Sequence, residues 1–308
     1  MEISKEHISE WLKTLQDTIC NALESADGSA KFKEENWTRE EGGGGRSRVI
    51  ENGTVIEKGG VMFSAVSGKA PDFLFKESAH SESSNAIDRD GLTFFATGVS
   101  IVIHPVSPMV PIIHMNIRYF EMNNGTKWLG GGIDLTPHYI VEEDARFFHS
   151  QLKTVCDKHN KEYYSKFKDW ADEYFYISHR KETRGIGGIF FDRLNTGNGM
   201  SFEQNFEFWK EVGEAFAPTY VELINRNKTK TYTPENKQWQ LLRRGRYVEF
   251  NLVYDKGTRF GLETNGRVES ILMSLPMQAG WMYDFKTKAN SPEEHTLAKL
   301  KKGINWLS

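Results

Sequence analysis

Residues 112–121 read IIHMNIRYFE, and the alternation of side chains in this stretch indicates a β-strand with two unlike faces. Successive side chains of a strand point to opposite sides of its sheet. One side then carries an apolar set, consisting of Ile113, Met115, Ile117 and Tyr119. The other side carries a histidine, an amide and a guanidinium, followed by a phenylalanine: His114, Asn116, Arg118 and Phe120. The stretch predicts a strand that forms core on one side and a polar surface on the other.

The run before it, LTFFATGVSIVIH (92–104), has the same character and is separated from it by PVSPMVP, whose prolines indicate a turn. We therefore expect an antiparallel pair in which Ser100 and His104 lie near His114, Asn116 and Arg118. The bulky apolar neighbours of these residues indicate that the polar patch is covered, because buried polar groups without partners are costly. A ligand, side chains from a helix and a partner subunit are the three possible covers.

Helical spacing predicts four further elements. A first amphipathic helix at about residues 3–25 has Ile8, Leu12, Leu15 and Ile19 on one face, and a long helix over 203–226 contains Pro218. Residues 142–168 also have helical spacing. The tail from Ser291 starts a helix with serine as N-cap and Pro292 at its first position.

The remaining segments favour strands and loops. Asn52-Gly53 is typical of a hairpin between two β-prone runs, and YVEFNLVYD (247–255) and ESILMSLP (269–276) resemble strands. No Lys-Ser or Lys-Thr pair follows Gly42–Gly45, so we interpret this run as a mobile loop rather than a phosphate-binding loop. Strands joined by hairpins, with helices between them, predict one α+β domain over residues 1–308, built on a large, mostly antiparallel β-sheet.

Composition limits the kind of protein. The 308 residues are 38% hydrophobic and 13% aromatic, as in a folded globular protein. A net charge of −3 gives no general reason to expect nucleic-acid binding. Two cysteines, Cys20 and Cys156, are too few for a disulfide framework and fit a reducing compartment. The N-terminus has neither a secretory signal nor a transit peptide, and no stretch approaches a membrane span, so we expect a cytoplasmic protein.

The polar row His-x-Asn-x-Arg suits an anionic ligand. Arginine binds carboxylate or phosphate with two parallel hydrogen bonds, and histidine exchanges protons near neutral pH. Each residue also has a simpler explanation: His104 at the surface of a turn, His114 as a partnered core histidine, and Arg118 in a structural ion pair. The three together are harder to explain in this way, since strands need none of them for propensity.

Two later segments add candidates. If 247–255 is a strand, Tyr247, Glu249, Asn251 and Asp255 share a face, and Asp255 at its end can accept hydrogen bonds or simply occupy a turn. Arg267 follows Asn265-Gly266, whose amides can help to bind an anion, or it is an ordinary exposed arginine. Finally, four histidines are candidates for a metal site, although their spacing matches no known metal motif: His104, His114, His149 and His179.

Several long segments resemble one family. These are WLGGGIDLTPHY (128–139), HRKETRGIGGIFFDRLN (179–195), RGRYVEFNLVYDKGTRFGL (244–262) and GRVESILMSLP (266–276), together with residues 98–121. They closely resemble oxygen-dependent coproporphyrinogen-III oxidase, an enzyme of haem biosynthesis, over most of the chain from about residue 30 onward. The resemblance implies a homodimer built on a large antiparallel sheet with helices on both faces.

The resemblance also implies an activity. Family members convert two propionate side chains of coproporphyrinogen III to vinyl groups by oxidative decarboxylation, giving protoporphyrinogen IX, carbon dioxide and hydrogen peroxide. Dioxygen is the oxidant, no organic cofactor is expected, and a divalent metal is a disputed possibility. A histidine-ligated metal oxygenase acting on another carboxylate and a non-catalytic tetrapyrrole carrier remain as alternatives.

Residue by residue, the resemblance implies roles for positions in this chain. His114 matches the proton donor, and Arg118 and Asp255 match further catalytic residues. The substrate contacts match Ser100, Asn116, Ile117, Arg118, Asn265, Gly266 and Arg267, where many relatives have glycine in place of Asn265. The metal ligands proposed in bacterial relatives match His104, His114, His149 and His179. A segment at about 247–282 matches a region of dimer contacts.

Overall fold

A seven-stranded sheet forms the centre of the structure, a computed structural model that describes residues 3–70, 91–263 and 266–308. Its strands are β1 (Lys33–Thr38), β2 (Gly43–Glu51), β3 (Ile56–Lys69), β4 (Thr93–Pro105), β5 (Ile112–Met122), β6 (Lys127–Thr136) and β9 (Gly188–Leu194). They lie in the order β1-β2-β3-β4-β5-β6-β9, and each neighbouring pair is antiparallel. A small ribbon pairs β7 (Tyr176–Ile177) with β8 (Glu182–Thr183).

Helices surround this sheet. They are α1 (Lys5–Asp27), α2 (Glu142–His159), α3 (Tyr163–Tyr174), α4 (Phe202–Asn227), α5 (Pro234–Val253), α6 (Lys256–Glu263), α7 (Val268–Leu272) and α8 (Pro292–Lys299), with a short 3₁₀ turn at Thr196–Asn198. Three helix predictions are confirmed: the first helix, the long helix containing Pro218, and the tail helix capped by Ser291. The predicted helical stretch over 142–168 is two helices, α2 and α3.

The alternation in residues 112–121 is confirmed in detail. The apolar side chains of β5 are buried against α1 and α4, and the set comprises Ile113, Met115, Ile117 and Tyr119. Gly213 of α4 makes this packing possible, because a Cβ at that position would lie 2.9 Å from side-chain atoms of both Ile117 and Leu15. The helix can therefore approach the sheet and α1 closely.

The second face of the sheet carries the polar residues and is covered in part by α5 and α7. Tyr247 of α5 packs on Val102 and Ile112, and Met273, just after α7, fills the space above Gly60 of β3. Both faces of the sheet thus have helices, as predicted, and the α+β class with a large antiparallel sheet is confirmed.

The prediction of a strand at 247–255 is wrong, because these residues end helix α5. That helix begins with a capping box at Thr233, has Pro234 at its first position and runs for 20 residues. Its last turns bury Tyr247, Phe250 and Asn251, which are three or four residues apart, as a helix requires. Aromatic and β-branched residues favour strands only weakly, and burial of this face against the sheet outweighs that preference.

Two smaller predictions also need correction. The strand predicted over 269–276 is instead the short helix α7 and the turn that follows it. Gly43, Gly44 and Gly45 are not a mobile loop but pair within β2, between β1 and β3. Glycine is required there by close approach, since a Cβ at Gly45 would collide with the Trp37 ring and the carbonyl oxygen of Phe63. The hairpin at Asn52-Gly53 is confirmed.

Candidate active site

Strand pairing brings the predicted polar residues onto one surface. Ser100 of β4 lies directly opposite Asn116 of β5, and Arg118 lies two residues further along the same face. Side chains of directly paired residues point to the same side of a sheet. We call this surface, which carries Ser100, His114, Asn116 and Arg118, the polar floor. All four of these residues are half-buried.

Glycines flank Arg118 on both sides and Asn116 on one side. Arg118 lies between Gly98 of β4 and Gly130 of β6, and Asn116 has Gly132 as its partner on β6. Neighbouring side chains lie over two of these glycines: Asp192 and Arg118 over Gly130, and Phe190 over Gly132. The glycines thus let these side chains approach the strands closely, beside the amide of Asn116 and the guanidinium of Arg118.

His114 is held by an acid on the neighbouring strand. Its Nδ1 lies 2.8 Å from Oδ1 of Asp134, the residue opposite it on β6. Burial by itself raises the pKa of Asp134, but Arg184 and then His114 offset this and hold that pKa below its usual value. Because Asp134 is ionised, His114 Nδ1 carries the hydrogen and donates it. The Nε2 atom is then the one that can accept or deliver a proton.

Arg184 completes this arrangement from the loop between β8 and β9. Its guanidinium donates hydrogen bonds of 2.7 and 2.8 Å to Asp134 and one of 2.8 Å to Asn251 of α5. It is buried among the rings of Phe175, Tyr247 and Phe250, with its central carbon 4.4 to 4.7 Å from each ring centroid. Arg184 therefore neutralises Asp134 and joins the sheet to α5.

Sequence reasoning missed the roles of both Asp134 and Arg184. Asp134 could have been found, because alternation from Gly130 and Gly132 places it on the same face of β6 as those glycines. Arg184 lies in a loop 50 residues later, and the sequence around it has no pattern that predicts its burial. Only the folded chain brings the two together.

Asp255 lies at the rim of the polar floor, just after α5. Its Oδ1 accepts a 3.0 Å hydrogen bond from the Tyr174 hydroxyl, and its Oδ2 accepts one of 2.7 Å from the Thr258 amide. The Tyr174 ring stacks on Phe190 of β9 at 4.2 Å. Burial and then Asp255 raise the pKa of the Tyr174 hydroxyl, whereas nearby Arg118 lowers it. Asp255 is therefore close to the polar floor, although it does not end a strand.

Arg267 lies over the same face of the sheet, at the end formed by strands β1 and β2. Its Nη1 lies 3.3 Å from Ser47 Oγ on β2, and its Nη2 lies 2.6 Å from Glu35 Oε1 on β1. The amide of Gly266 donates to the carbonyl oxygen of Gly261, so it is already used within the chain. Asn265 lies outside the residues that the structure describes.

Ile117 does not match its expected place. Its side chain is fully buried in the core on the opposite face of β5, so it does not line the polar floor. Only its backbone could approach a ligand, and that backbone is part of the pairing with Val99 and Gly131.

Comparison with known proteins gives the family. The model of the family described as Coproporphyrinogen III oxidase matches residues 7–306. Two proteins of Prochlorococcus marinus named "Oxygen-dependent coproporphyrinogen-III oxidase" are 46% identical (strain MIT 9312) and 45% identical (strain AS9601), each alignment covering 99% of this chain and 93% of the relative. This chain belongs to the coproporphyrinogen III oxidase family. The resemblance seen in the sequence is confirmed.

The four histidines predicted as candidate metal ligands have separate partners: His114 pairs with Asp134, as described above. His104 Nε2 lies 2.9 Å from the Ser274 carbonyl oxygen, and His149 bonds the Ile186 carbonyl oxygen and the Tyr164 hydroxyl. His179 lies between Tyr254 and Glu249. Across residues 3–70, 91–263 and 266–308, no group of three or more His, Cys, Asp or Glu is placed to hold a metal ion. The donor set does not fit a metal centre within this chain.

Proposed function

We propose that this chain catalyses the oxygen-dependent conversion of coproporphyrinogen III to protoporphyrinogen IX in haem biosynthesis. In each of two steps, one propionate side chain, one dioxygen and one proton become one vinyl group, one carbon dioxide and one hydrogen peroxide. Family membership supports the reaction. The assignment to residues rests on the polar floor, where an arginine, an amide and an oriented histidine lie side by side on one face of the sheet.

The dimensions of the sheet support a tetrapyrrole as the ligand. Ser47, which contacts Arg267, is separated from Asn116 by three strand spacings, or about 14 Å at about 4.8 Å each. That distance suits a macrocycle whose propionates extend to both sides. Arg118 would then hold the reacting propionate, and Arg267 would hold a carboxylate on the far side, each through two parallel hydrogen bonds.

The proton needed in each cycle is assigned to His114. Nδ1 is occupied by Asp134, so Nε2 is available to deliver a proton to the peroxide that forms from dioxygen. Arg118 would fix the carboxylate until carbon dioxide leaves, which orients the bond that breaks. Asp255, held by Tyr174, is suited to accept hydrogen bonds from the pyrrole N–H groups. Ser100 and Asn116 would provide further polar contacts.

Dioxygen is the co-substrate of the proposed reaction, and we propose that no organic cofactor takes part. An electron-rich porphyrinogen can react with dioxygen directly, so no flavin or haem is required. Since the four histidines have separate partners, no step of the mechanism is routed through a metal.

We further propose a cytoplasmic homodimer whose contacts include residues 247–282. Several large apolar side chains are exposed in or next to that segment, as expected for an interface: Leu252, Val253, Leu262, Val268, Met277, Trp281, Met282, Tyr283 and Phe285. Within the described parts of the chain, none of the helices has the length and apolarity to cross a membrane. A net charge of −3 gives no support to a nucleic-acid partner.

An oxygen-controlled assay tests the function. Purified protein should convert coproporphyrinogen III to protoporphyrinogen IX in air without any added organic cofactor, and conversion should stop under strict anaerobiosis. Equal turnover without oxygen would refute the proposal. A metal oxygenase would instead contain stoichiometric metal and lose activity on chelation, and a carrier would bind the tetrapyrrole with no turnover.

A further inference from the structure

Arg118, the residue proposed to hold the reacting propionate, already has a carboxylate beside it. Its Nη2 lies 2.9 Å from Oδ1 of Asp192, which extends from β9, the outermost strand of the sheet. Its Nη1 donates a 3.0 Å hydrogen bond to Asn116 Oδ1. Asp192 therefore presents to Arg118 the same chemical group as the substrate.

Gly130 makes this ion pair possible. A Cβ at Gly130 would collide with Asp192 Oδ1 and would lie 3.1 Å from both Nε and Nη2 of Arg118. The bare backbone of β6 thus lets the carboxylate from β9 reach across to the guanidinium on β5. The absence of a side chain at Gly130 therefore permits Asp192 to reach the polar floor.

The pair is close but imperfectly aligned. Asp192 Oδ1 is shielded from solvent, yet its contact with Arg118 lacks the angles of a hydrogen bond. The two side chains retain 37% and 31% of their exposure. An ion pair that is exposed to this degree contributes little stability, so a ligand that binds the guanidinium with two aligned hydrogen bonds can displace it.

The other arginine of the sheet face shows a similar arrangement. Arg267 pairs at 2.6 Å with Glu35 of β1, the strand at the opposite edge of the sheet. The two arginines assigned to substrate carboxylates are thus each neutralised by an acid from an edge strand. Glu35 is more exposed than Asp192, so the Asp192 pair offers the sharper test.

We propose that the Asp192 carboxylate pairs with Arg118 when no substrate is bound. The substrate carboxylate then binds Arg118 by displacing the Asp192 carboxylate. This proposal rests on the proposed function. Once the propionate has lost carbon dioxide, Arg118 has no ligand carboxylate, and Asp192 returns to neutralise it. No bond to Asp192 forms or breaks. Asp192 is a positioning residue that sets the affinity of Arg118 for carboxylates and assists exchange of the reacted side chain.

The test measures binding of coproporphyrin III, the oxidised macrocycle with the same four carboxylates, by fluorescence titration. Asp192→Asn removes the competing charge, so the dissociation constant should fall by about twofold to fivefold, the value of an exposed ion pair. A purely structural role for Asp192 would weaken binding instead. The opposite signs separate the two explanations.

Two further variants complete the experiment. In an Arg118→Ala background, Asp192→Asn should produce no tightening, because the competition acts through Arg118. Asp144→Asn is the matched control, since Asp144 pairs with an arginine (Arg226) at 3.5 Å on the helices, away from the polar floor, and loses the same single charge. That control should leave affinity unchanged, which shows that net charge alone is not responsible.

The outcomes distinguish this proposal from the one on which it rests. If Arg118→Ala does not weaken binding, the assignment of Arg118 to a substrate carboxylate is wrong. If Arg118→Ala weakens binding but Asp192→Asn leaves it unchanged or weakens it, Asp192 does not compete with substrate. If Asp144→Asn tightens binding as much as Asp192→Asn, the effect is general electrostatics and the proposal is overturned.

Discussion

Replacing Asp134 with asparagine tests the buried centre of the site most directly. Asp134 is 1% exposed and accepts hydrogen bonds from both His114 and Arg184. Asparagine keeps the size and one acceptor oxygen but removes the charge. Arg184 then stays buried as a cation with no anionic partner, and His114 loses the ion that fixes its tautomer.

The expected loss of stability follows from this geometry. Removing one member of a buried ion pair costs about 3–5 kcal/mol in the free energy of unfolding. The three aromatic rings around Arg184 and the remaining acceptor oxygen place the expected value near the lower end, at about 3 kcal/mol. At about 2–4 °C per kcal/mol, the melting temperature should fall by roughly 6–12 °C.

Two measurements check this reasoning. Guanidinium denaturation gives the free energy of unfolding, and a pH–rate profile gives the behaviour of His114. Asp134→Asn should lower kcat per folded molecule by at least about tenfold, in the range expected for loss of an oriented acid–base group. An unfolding midpoint equal to that of the wild type would refute the ion-pair argument.

Arg184→Met serves as the companion variant. It leaves the Asp134 carboxylate beside His114 without the neutralising guanidinium, so the imidazolium form of His114 gains stability. Because a proton donor is inactivated when it loses its proton, the alkaline limb of the pH–rate profile should therefore move to higher pH. If Asp134→Asn loses stability while neither variant changes the pH–rate profile, Asp134 does not orient the catalytic proton.

Three further predictions concern other parts of the fold. Gly60→Ala places a Cβ against the Met273 thioether and should lower the free energy of unfolding by about 1–3 kcal/mol. Because α7 would then move away from the sheet, KM should also increase. An unchanged KM would contradict this account of the packing. Burial lowers the pKa of His104 and of His149 to about 3, so stability is fully present above pH 6.5 and is lost as the pH falls towards 3. At pH 5 each should cost about 2 kcal/mol relative to pH 7.5, and denaturation curves that coincide at the two pH values would refute this. Asp27→Asn removes a charged acceptor from backbone amides next to α1 and at the β2–β3 hairpin. The free energy of unfolding, measured by chemical denaturation, should fall by about 2 kcal/mol. A fall below about 0.5 kcal/mol, roughly the effect of an ordinary surface change, would contradict this prediction.

The central strands could be predicted from the sequence because each of their faces has one consistent character. A strand with core on one side has a two-residue period, and a change of register by one residue would bury Arg118 and expose Ile117. The first helix was predictable for the same reason, with its apolar residues at helical spacing. In both cases the local pattern and the tertiary burial agree.

Local pattern and burial disagree at 247–255. Taken alone, the segment favours a strand. The signals for a helix lie 14 residues before Tyr247, at the capping box of Thr233 and at Pro234. Helix formation propagates from that start through Gly245, and no proline follows Pro234 within the helix. The ion pair of Asp134 with Arg184 escaped prediction for a different reason, because contacts between distant loops have no local period.

The helix changes which residues of this segment can act together. As a strand, it would have placed Glu249 beside Tyr247, Asn251 and Asp255. As a helix, it turns Glu249 away, towards Arg180 and His179, where these groups hold its pKa at about 2 against the opposing effect of burial. Tyr247, Asn251 and Asp255 still follow one another at four-residue intervals, or about 6 Å apart while the helix continues.

These three residues therefore connect α5 to the polar floor at successive points. Tyr247 packs on the sheet next to His104, Asn251 bonds Arg184, and Asp255 reaches the rim beside Tyr174. A movement of α5 would change the support of Arg184, and hence of Asp134 and His114, at the same time as it moved Asp255. Asp255 at the rim and the proposed proton donor His114 are thus linked through one helix.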